Sequence, residues 1–514
     1  MAKKITPLLR LHETSHPLLY EVNVRVLLNT LSRRLGKAAT LATIPNELLD
    51  EWRDLGFDAV WLMGVWKTGG LARSIAQNHQ GLKQEYARAL PDWNEMDVEG
   101  SPYSVQAYVV HPTLGTGKDL AALRKRLASR GLGLILDVVC NHTARDCDWV
   151  RSHPEYYIQG RTGEDERVPD YYFKVDTVRG ERVLAFGRDP TFPGWTDTAQ
   201  LNIMSAPARE AIIGELQRIA GMCDGVRCDM AMLLLSDIFR RTWGDRAATE
   251  GGQATLPEFW KAAVDAVKKD FPGFVFMAEA YWNREWDLQQ LGIDYTYDKV
   301  LYDRLMKEGA YSSRDHLKAE MDFQRRCVRF LENHDEPRLA HLVKSEAWKF
   351  AAATVVATVP GMVLIQEGQL EGRETRVPVQ LVRRPEEPVS ERSRSFFERL
   401  LWIITHPVFR KGEWSLSSIR PGWHDNQTWQ NFIVSWWHEA GIGDRLVVVN
   451  YAPLSGQGYV DIPPERLNAP ALEFRDLLGD AVFVREKAGL AAKGMYFDLP
   501  PYGIHIFEVR PARK

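Results

Sequence analysis

Four times along the chain an amphipathic helical stretch ends at glycine and gives way to a short run that is apolar throughout. PNELLDEWRDLG (45–56) leads to FDAVWLMGV, and KDLAALRKRLASR, stopped by Gly131, leads to LGLILDVVCNH. APAREAIIGELQRIAG precedes DGVRCDMAM, and LPEFWKAAVDAVKKDFPG precedes FVFMAEAYW. Strands apolar on both faces and separated by helices require a parallel sheet covered on both sides. That leaves a doubly wound sheet or a closed barrel. Eight strands are expected, at 19–27, 58–65, 132–139, 224–231, 274–280, 293–298, 327–333 and 361–367. Eight favours the barrel, and no glycine-rich dinucleotide fingerprint follows the first strand.

Two stretches break the alternation. After NHTA (141–144) comes an aromatic, charged segment without helical period, which reads as an inserted subdomain. From about 412 the pattern becomes short alternating runs, NFIVSWW, RLVVVNYA, GMYFDLP and GIHIFEV, between Gly, Pro and Asn turns. This predicts a separate antiparallel β-domain. RRPEEPVSERSRS (383–395) reads as a solvated loop before the last barrel helix. The expected division is 1–142 and 201–411 for the barrel, 143–200 for the insertion and 412–514 for the C-terminal domain.

Composition narrows the partners. With 65 basic and 68 acidic residues the net charge is -3, so no global field points to nucleic acid or an anionic membrane. The longest apolar run, 350–365, is short of a bilayer span and contains Pro360 and Gly361. No apolar stretch in the first residues suits a secretory signal, and five cysteines without a CxxC pair read as buried free thiols in a reducing compartment. A cytoplasmic enzyme is expected. Seventeen Trp, 17 Tyr and 20 Phe are more than one core needs, and such rings suit sugar faces.

Charges sit at the strand ends. In GVRCDMAMLLL (225–235), Arg227 and Asp229 are two residues apart, so both point to one face of a strand that is otherwise apolar. In a parallel barrel that face opens at the C-terminal mouth, where active sites are built. The other strands end likewise: Asp137 to His142 on the third, Glu279 on the fifth, and Glu332-Asn-His334-Asp335 on the seventh. Several carboxylates with an arginine, and neither a lysine nor a metal-type cluster, suit glycoside cleavage. An oxocarbenium-like transition state needs one ionised carboxylate at the anomeric carbon and one protonated acid at the leaving oxygen. Arg227 is expected to hold Asp229 ionised as nucleophile, while neighbouring acids push Glu279 upward as acid/base. His142 and His334 show no metal-ligand spacing.

DVVCNH (137–142), GVRCDMAM (225–232), the Glu279 strand and LENHD (331–335) resemble, in order and spacing, the four short regions of the α-amylase superfamily, glycoside hydrolase family 13. SPYSVQAYVVHPTLGT (101–116), TAQLN (198–202) and LPPYGIHIFEV (499–509) are similar to further family segments, so the likeness covers nearly the whole chain. The resemblance implies an α/β fold: a (β/α)8 TIM barrel with subdomain B inserted after strand 3 and a C-terminal antiparallel β-sandwich. It implies a retaining enzyme in which Asp229 is nucleophile, Glu279 acid/base and Asp335 the acid holding sugar hydroxyls. Tyr103, His142, Arg227, His334 and Arg338 match the family's substrate contacts, and Asp137 reads as structural support. The separation expected between the nucleophile and acid carboxyls of a retaining enzyme is about 5 to 5.5 Å.

Two departures bear on the substrate. Where many polymer-cleaving members place lysine and histidine after the nucleophile, this chain has Met232 and Leu233. Asn141 matches a residue that often binds calcium in the family, but its expected acidic partner is Gln200. The chemistry needs no cofactor, and a structural calcium stays open. Three readings follow: an α-glucan or α-glucoside hydrolase acting on α-1,4-linked maltooligosaccharides or starch-type glucans, a transglycosylase or isomerising (trehalose-forming) enzyme with the same site, and an inactive carbohydrate-binding scaffold.

Overall fold

A computed structural model describes residues 11, 14–247 and 256–512. Eight parallel strands close into a barrel: β1 (Leu18–Asn23), β2 (Ala59–Met63), β3 (Gly133–Val138), β4 (Gly225–Cys228), β5 (Val275–Ala278), β6 (Tyr295–Tyr297), β7 (Cys327–Arg329) and β8 (Met362–Gln366). Each hydrogen-bonds its sequence neighbours, and β8 closes on β1. All eight expected strands are present. They are shorter than the apolar runs, and β1 ends at Asn23, well before residue 27. There the chain turns helical after Asn23, whose side chain accepts from the Val26 N–H, and Val24–Leu35 is a helix. Its valines suit a strand, but Val24, Leu27, Leu28 and Leu31 recur at helical spacing and are buried.

Alternation along each strand divides the core in two. Leu19, Trp61, Met63, Ile135, Met277, Tyr297 and Leu364 fill the barrel interior. Leu18, Tyr20, Val22, Val60, Leu134, Val226 and Phe276 face the surrounding helices. At the narrow bottom of the barrel a Cβ on Gly225 would meet the Val275 carbonyl at 2.6 Å and Ile135 Cδ1 at 2.8 Å, so only glycine lets β3, β4 and β5 approach.

Between β2 and the barrel helix Gly117–Ala128 lies an excursion that the sequence pattern did not announce. It holds a strand pair, Trp66–Thr68 with Val105–Val110, and helices Gly70–Asn78 and Gln80–Ala89. After β3 the chain forms the hairpin Tyr172–Thr177/Gly180–Ala185 and the pair His142–Ala144/Thr198–Gln200. Arg145 packs over Phe173, 4.4 Å from the ring centroid, and joins the hairpin to that pair.

The C-terminal part is antiparallel, with a six-stranded and a three-stranded sheet enclosing Phe432, Trp436, Val448, Phe474, Phe497 and Phe507. Trp437 Nε1 donates to the Thr358 carbonyl at 2.8 Å and Tyr451 Oη to that of Leu305 at 2.9 Å, tying this domain to the barrel helices.

The segment 383–395 is not a plain solvated loop. Arg383 binds both Asp92 and Asp97, Arg394 pairs with Glu51, Glu371 and Glu398, and the last barrel helix begins at Glu391. The charge density belongs to a network that straps the β8 loop to the excursion after β2. Among the described residues, no helix is long and apolar enough to cross a membrane.

Candidate active site

The inward parity that fills the barrel with apolar side chains carries charges at the strand ends. Glu21 of β1, Asp137 of β3, Arg227 of β4, Asp229 just beyond it and Glu279 just beyond β5 all follow it. The ladder continues past the strands: the Asp229 N–H donates to the Val138 carbonyl at 2.9 Å and the Glu279 N–H to that of Cys228 at 3.0 Å. Both catalytic candidates therefore stand on rigid backbone.

Arg227 is wholly buried and joins them. Its Nη1 is 2.6 Å from Asp229 Oδ1, its Nη2 2.7 Å from Glu279 Oε2 and 4.0 Å from Asp335 Oδ2. Tyr103, Trp61 and Tyr297 rings surround the guanidinium at 5.0, 5.5 and 5.8 Å. Expected as a substrate contact, Arg227 lies instead beneath the cleft and positions the two carboxyls. Glu279 also receives the Met230 N–H at Oε2 (2.7 Å) and the Tyr281 hydroxyl at Oε1 (2.8 Å). Met230 adopts a left-handed conformation, φ 43°, to aim that N–H.

Burial pushes the Glu279 carboxyl up to about 7, helped by the charges of Asp229 and Asp335 and opposed by Arg227. Burial also raises Asp229. Arg227 pulls in the expected direction but does not outweigh desolvation. Asp335 feels the same burial, yet His334 and Arg227 hold it down at about 2, and its side chain stays 44% exposed to the cleft.

His334 Nδ1 lies 2.6 Å from Glu21 Oε1, and its Nε2 3.0 Å from Asp335 Oδ2 and 2.6 Å from the Tyr103 hydroxyl. Burial favours the neutral ring, but Asp335 and Glu21 more than offset it and lift the imidazolium to about 10. Tyr103 stacks on His334 with centroids 5.3 Å apart. His142 has no such partners; burial lowers it to about 4, and it packs neutral against Trp195.

Asp137 accepts from Trp61 Nε1 at 3.2 Å and from the Gly64 N–H at 3.1 Å, under the site rather than in it. Arg338 is not brought to the cleft wall. It is buried, donating to Glu332, Gln366 and the Glu367 carbonyl. Met232 and Leu233 are buried in a short helical turn after β4, so neither lines the cleft. Asn141 and Gln200 bond each other, Gln200 Nε2 donating to Asn141 Oδ1 at 3.0 Å and Asn141 Nδ2 to Gln200 Oε1 at 3.3 Å. No group of three His, Cys, Asp or Glu side chains suited to a metal occurs among the described residues. Both amide oxygens are engaged within this pair, and neither side chain supplies the carboxylate that calcium sites commonly use.

The carboxyls open into a cleft of about 540 Å³. Its walls come from the excursion after β2 (Ile75, His79, Tyr103), the insertion after β3 (Trp195, Asp197) and Tyr281 after β5. Glu21, Tyr281 and Trp195 are functional candidates that the strand-end reading missed. Glu21 carried the same signal as Arg227 and Asp229, a charge within an apolar strand, LLYEVN. Tyr281 and Trp195 lie on loops and left no such mark.

Tyr281→Phe removes a donor to the Glu279 carboxylate and so disfavours its ionised form. The Glu279 pKa, and with it the alkaline limb of activity that this group is expected to set, is expected to move up by about one pH unit with the fold unchanged. A kcat/KM–pH profile of the variant checks this, and an unmoved limb contradicts it.

Residues 40–431 match the family model described as "Alpha amylase, catalytic domain". A curated relative, Alpha-amylase 3 of Dictyoglomus thermophilum, is 22% identical over 412 residues, 75% of this chain and 69% of that one. Trehalose synthase/amylase TreS of Mycobacterium tuberculosis is 26% identical over 289 residues, 52% of this chain but 39% of that one. In fold, the chain is similar to the maltogenic α-amylase AmyB of Thermotoga neapolitana, with a TM-score of 0.67 at 17% identity over 97% of this chain and 99% of that one.

Proposed function

The chain belongs to the α-amylase catalytic-domain family, and from that premise we propose that it hydrolyses α-glucosidic bonds of maltooligosaccharides or starch-type glucans with retention of configuration. The observation that carries the reading is the single buried guanidinium of Arg227 holding Asp229 and Glu279 side by side. Two carboxyls on adjacent nitrogens of one planar group favour the short separation of retaining enzymes over the wider one, about 6.5 to 9.5 Å, that inversion needs.

In the first step Asp229 Oδ attacks the anomeric carbon while Glu279 donates its proton to the departing glycosidic oxygen. The carbon–oxygen bond to the aglycone breaks as the ester to Asp229 forms. Glu279, now ionised, takes a proton from water, whose oxygen attacks the same carbon and releases Asp229. Asp335, held anionic by His334, accepts hydrogen bonds from sugar hydroxyls and favours the positive charge that develops on the ring. The ionisation order fits this division: Asp335 at about 2, Glu279 at about 7 and still protonated below that pH.

A second reading keeps the site and replaces water by a sugar hydroxyl. The burial of Met232 and Leu233 favours it, since no polar side chain at these positions reaches the acceptor side. The wall offered there is Met230 and Tyr281, with Trp282 44% exposed on the same loop. Likeness to TreS supports the same alternative. Digestion of maltose, maltooligosaccharides, starch, α-1,6 glucans, trehalose and sucrose with product separation tests both. Shorter products and free reducing ends alone are expected for hydrolysis, and longer or rearranged sugars replace that reading by transfer. Absence of turnover on every α-glucoside contradicts both and returns the scaffold reading. Five buried free cysteines support a cytoplasmic setting.

A further inference from the structure

A second cavity, of about 490 Å³, opens between the C-terminal end of helix Val24–Leu35 and the loop that follows β8. Four arginines line it: Arg33 and Arg34 from the last helical turn, Arg373 and Arg384 from the loop. A helix C-terminus accounts for the first two, whose charge suits its dipole. It does not account for two further guanidiniums, from a different element, lining the same space.

Their charges are poorly matched within the protein. Arg384 has Glu367 at 3.4 Å, while Arg33, Arg34 and Arg373 make no ion pair and no side-chain hydrogen bond among the described residues. Arg373 Nε is buried without a partner. Burial lowers the Arg373 pKa and the charge of Arg384 lowers it further; Glu367 and Glu371 oppose this without pairing with Arg373 and do not offset it. Two carboxylates also line it. Glu387 Oε1 already accepts the N–H groups of Glu374 and Thr375, and Glu386 is exposed at the rim. Three forked donors without an ion pair, around an open space, match a compact oxyanion with several acceptor oxygens, which arginine binds bidentately.

We propose that this cavity is a binding site for a phosphate group, separate from the catalytic cleft. A smaller cavity shared by Arg373, Arg384 and Glu387 reaches His334 and Arg338. The same loop carries Gln380 to the cleft wall, and Arg376 donates to the Asp335 carbonyl at 3.3 Å. An anion held by Arg373 and Arg384 therefore braces the loop that borders the site.

Calorimetric titration of the full chain with orthophosphate, a hexose phosphate and a nucleoside diphosphate tests this, with the unphosphorylated hexose as control. Saturable binding with Kd below about 1 mM is expected for at least one phosphate, weakened at least about tenfold by Arg34→Gln and by Arg384→Gln. Arg34 is exposed at a helix end, so its substitution leaves the fold intact. Arg485→Gln, on a strand of the C-terminal domain, is expected to leave the affinity unchanged. The arms identify the source: equal affinity for all three assigns the site to phosphate itself, and preference for one assigns its carrier. No saturable binding to the native chain or to Glu386→Gln overturns the proposal, as does binding that both arginine variants leave intact. Either failure leaves the reading of the cleft untouched, because no residue is shared with its acids.

Discussion

Asp229→Asn is expected to lower kcat on maltooligosaccharides by on the order of 10⁴-fold or more while leaving the folded chain and its substrate affinity nearly unchanged. The amide keeps the shape of the side chain but offers no anionic oxygen to the anomeric carbon, so the covalent step is lost. Arg227 keeps its ion pair with Glu279 at 2.7 Å, and the backbone bond from the residue 229 N–H to Val138 persists. Steady-state kinetics with a thermal melt checks the expectation. Activity within tenfold of the native chain contradicts the assignment of Asp229.

Glu279→Gln is expected to cost on the order of 10² to 10⁴-fold, and the loss depends on the substrate. In the proposed mechanism Glu279 supplies a proton to the leaving oxygen, so natural oligosaccharides with poor leaving groups are expected to suffer most. A glucosyl fluoride or a nitrophenyl glucoside needs little protonation and is expected to lose far less in its first step. The pH profile separates the roles further. In the native chain activity is expected to fall as pH rises through about 7, where Glu279 loses its proton, and to fall again at low pH, where Asp229 gains one. Glutamine at 279 abolishes the alkaline limb and leaves the acid limb in place. A variant that keeps the alkaline limb contradicts the role of Glu279.

Much of this architecture was legible because the physics is periodic. Helix spacing followed by an apolar run announced four of the barrel strands, and alternation within the strand announced which residues reach the mouth. Arg227, Asp229 and Glu279 stood out because a charge in such a run has to be justified. Glu21 met the same test in β1, and its contact with His334 is long-range, joining the first strand to the seventh. The excursion after β2, with Tyr103 near its end, supplies a cleft wall from short helices without a barrel period.

What the sequence could not convey was tertiary competition. Asn23 ends β1 where its β-branched neighbours suggested continuation, because its side chain caps the helix that follows. Arg338 sits three residues beyond Asp335, yet Glu332, two residues before His334, draws it away from the cleft into the wall behind β8. Met232 and Leu233 lie beside the nucleophile in sequence, but the left-handed turn at Met230 sends them into the core. Proximity along the chain was informative only where the backbone stayed extended.

In the proposed mechanism a glycosyl group passes through an ester on Asp229. A fluorosugar α-glucosyl fluoride, whose ring fluorine slows both steps while fluoride leaves readily, allows that ester to accumulate. Proteolysis and mass spectrometry are expected to find one glycosyl adduct, on the peptide carrying Asp229, and none on the Asp229→Asn chain. An adduct on any other carboxylate, or a β-anomer as first product from an α-glucoside with no adduct at all, contradicts it.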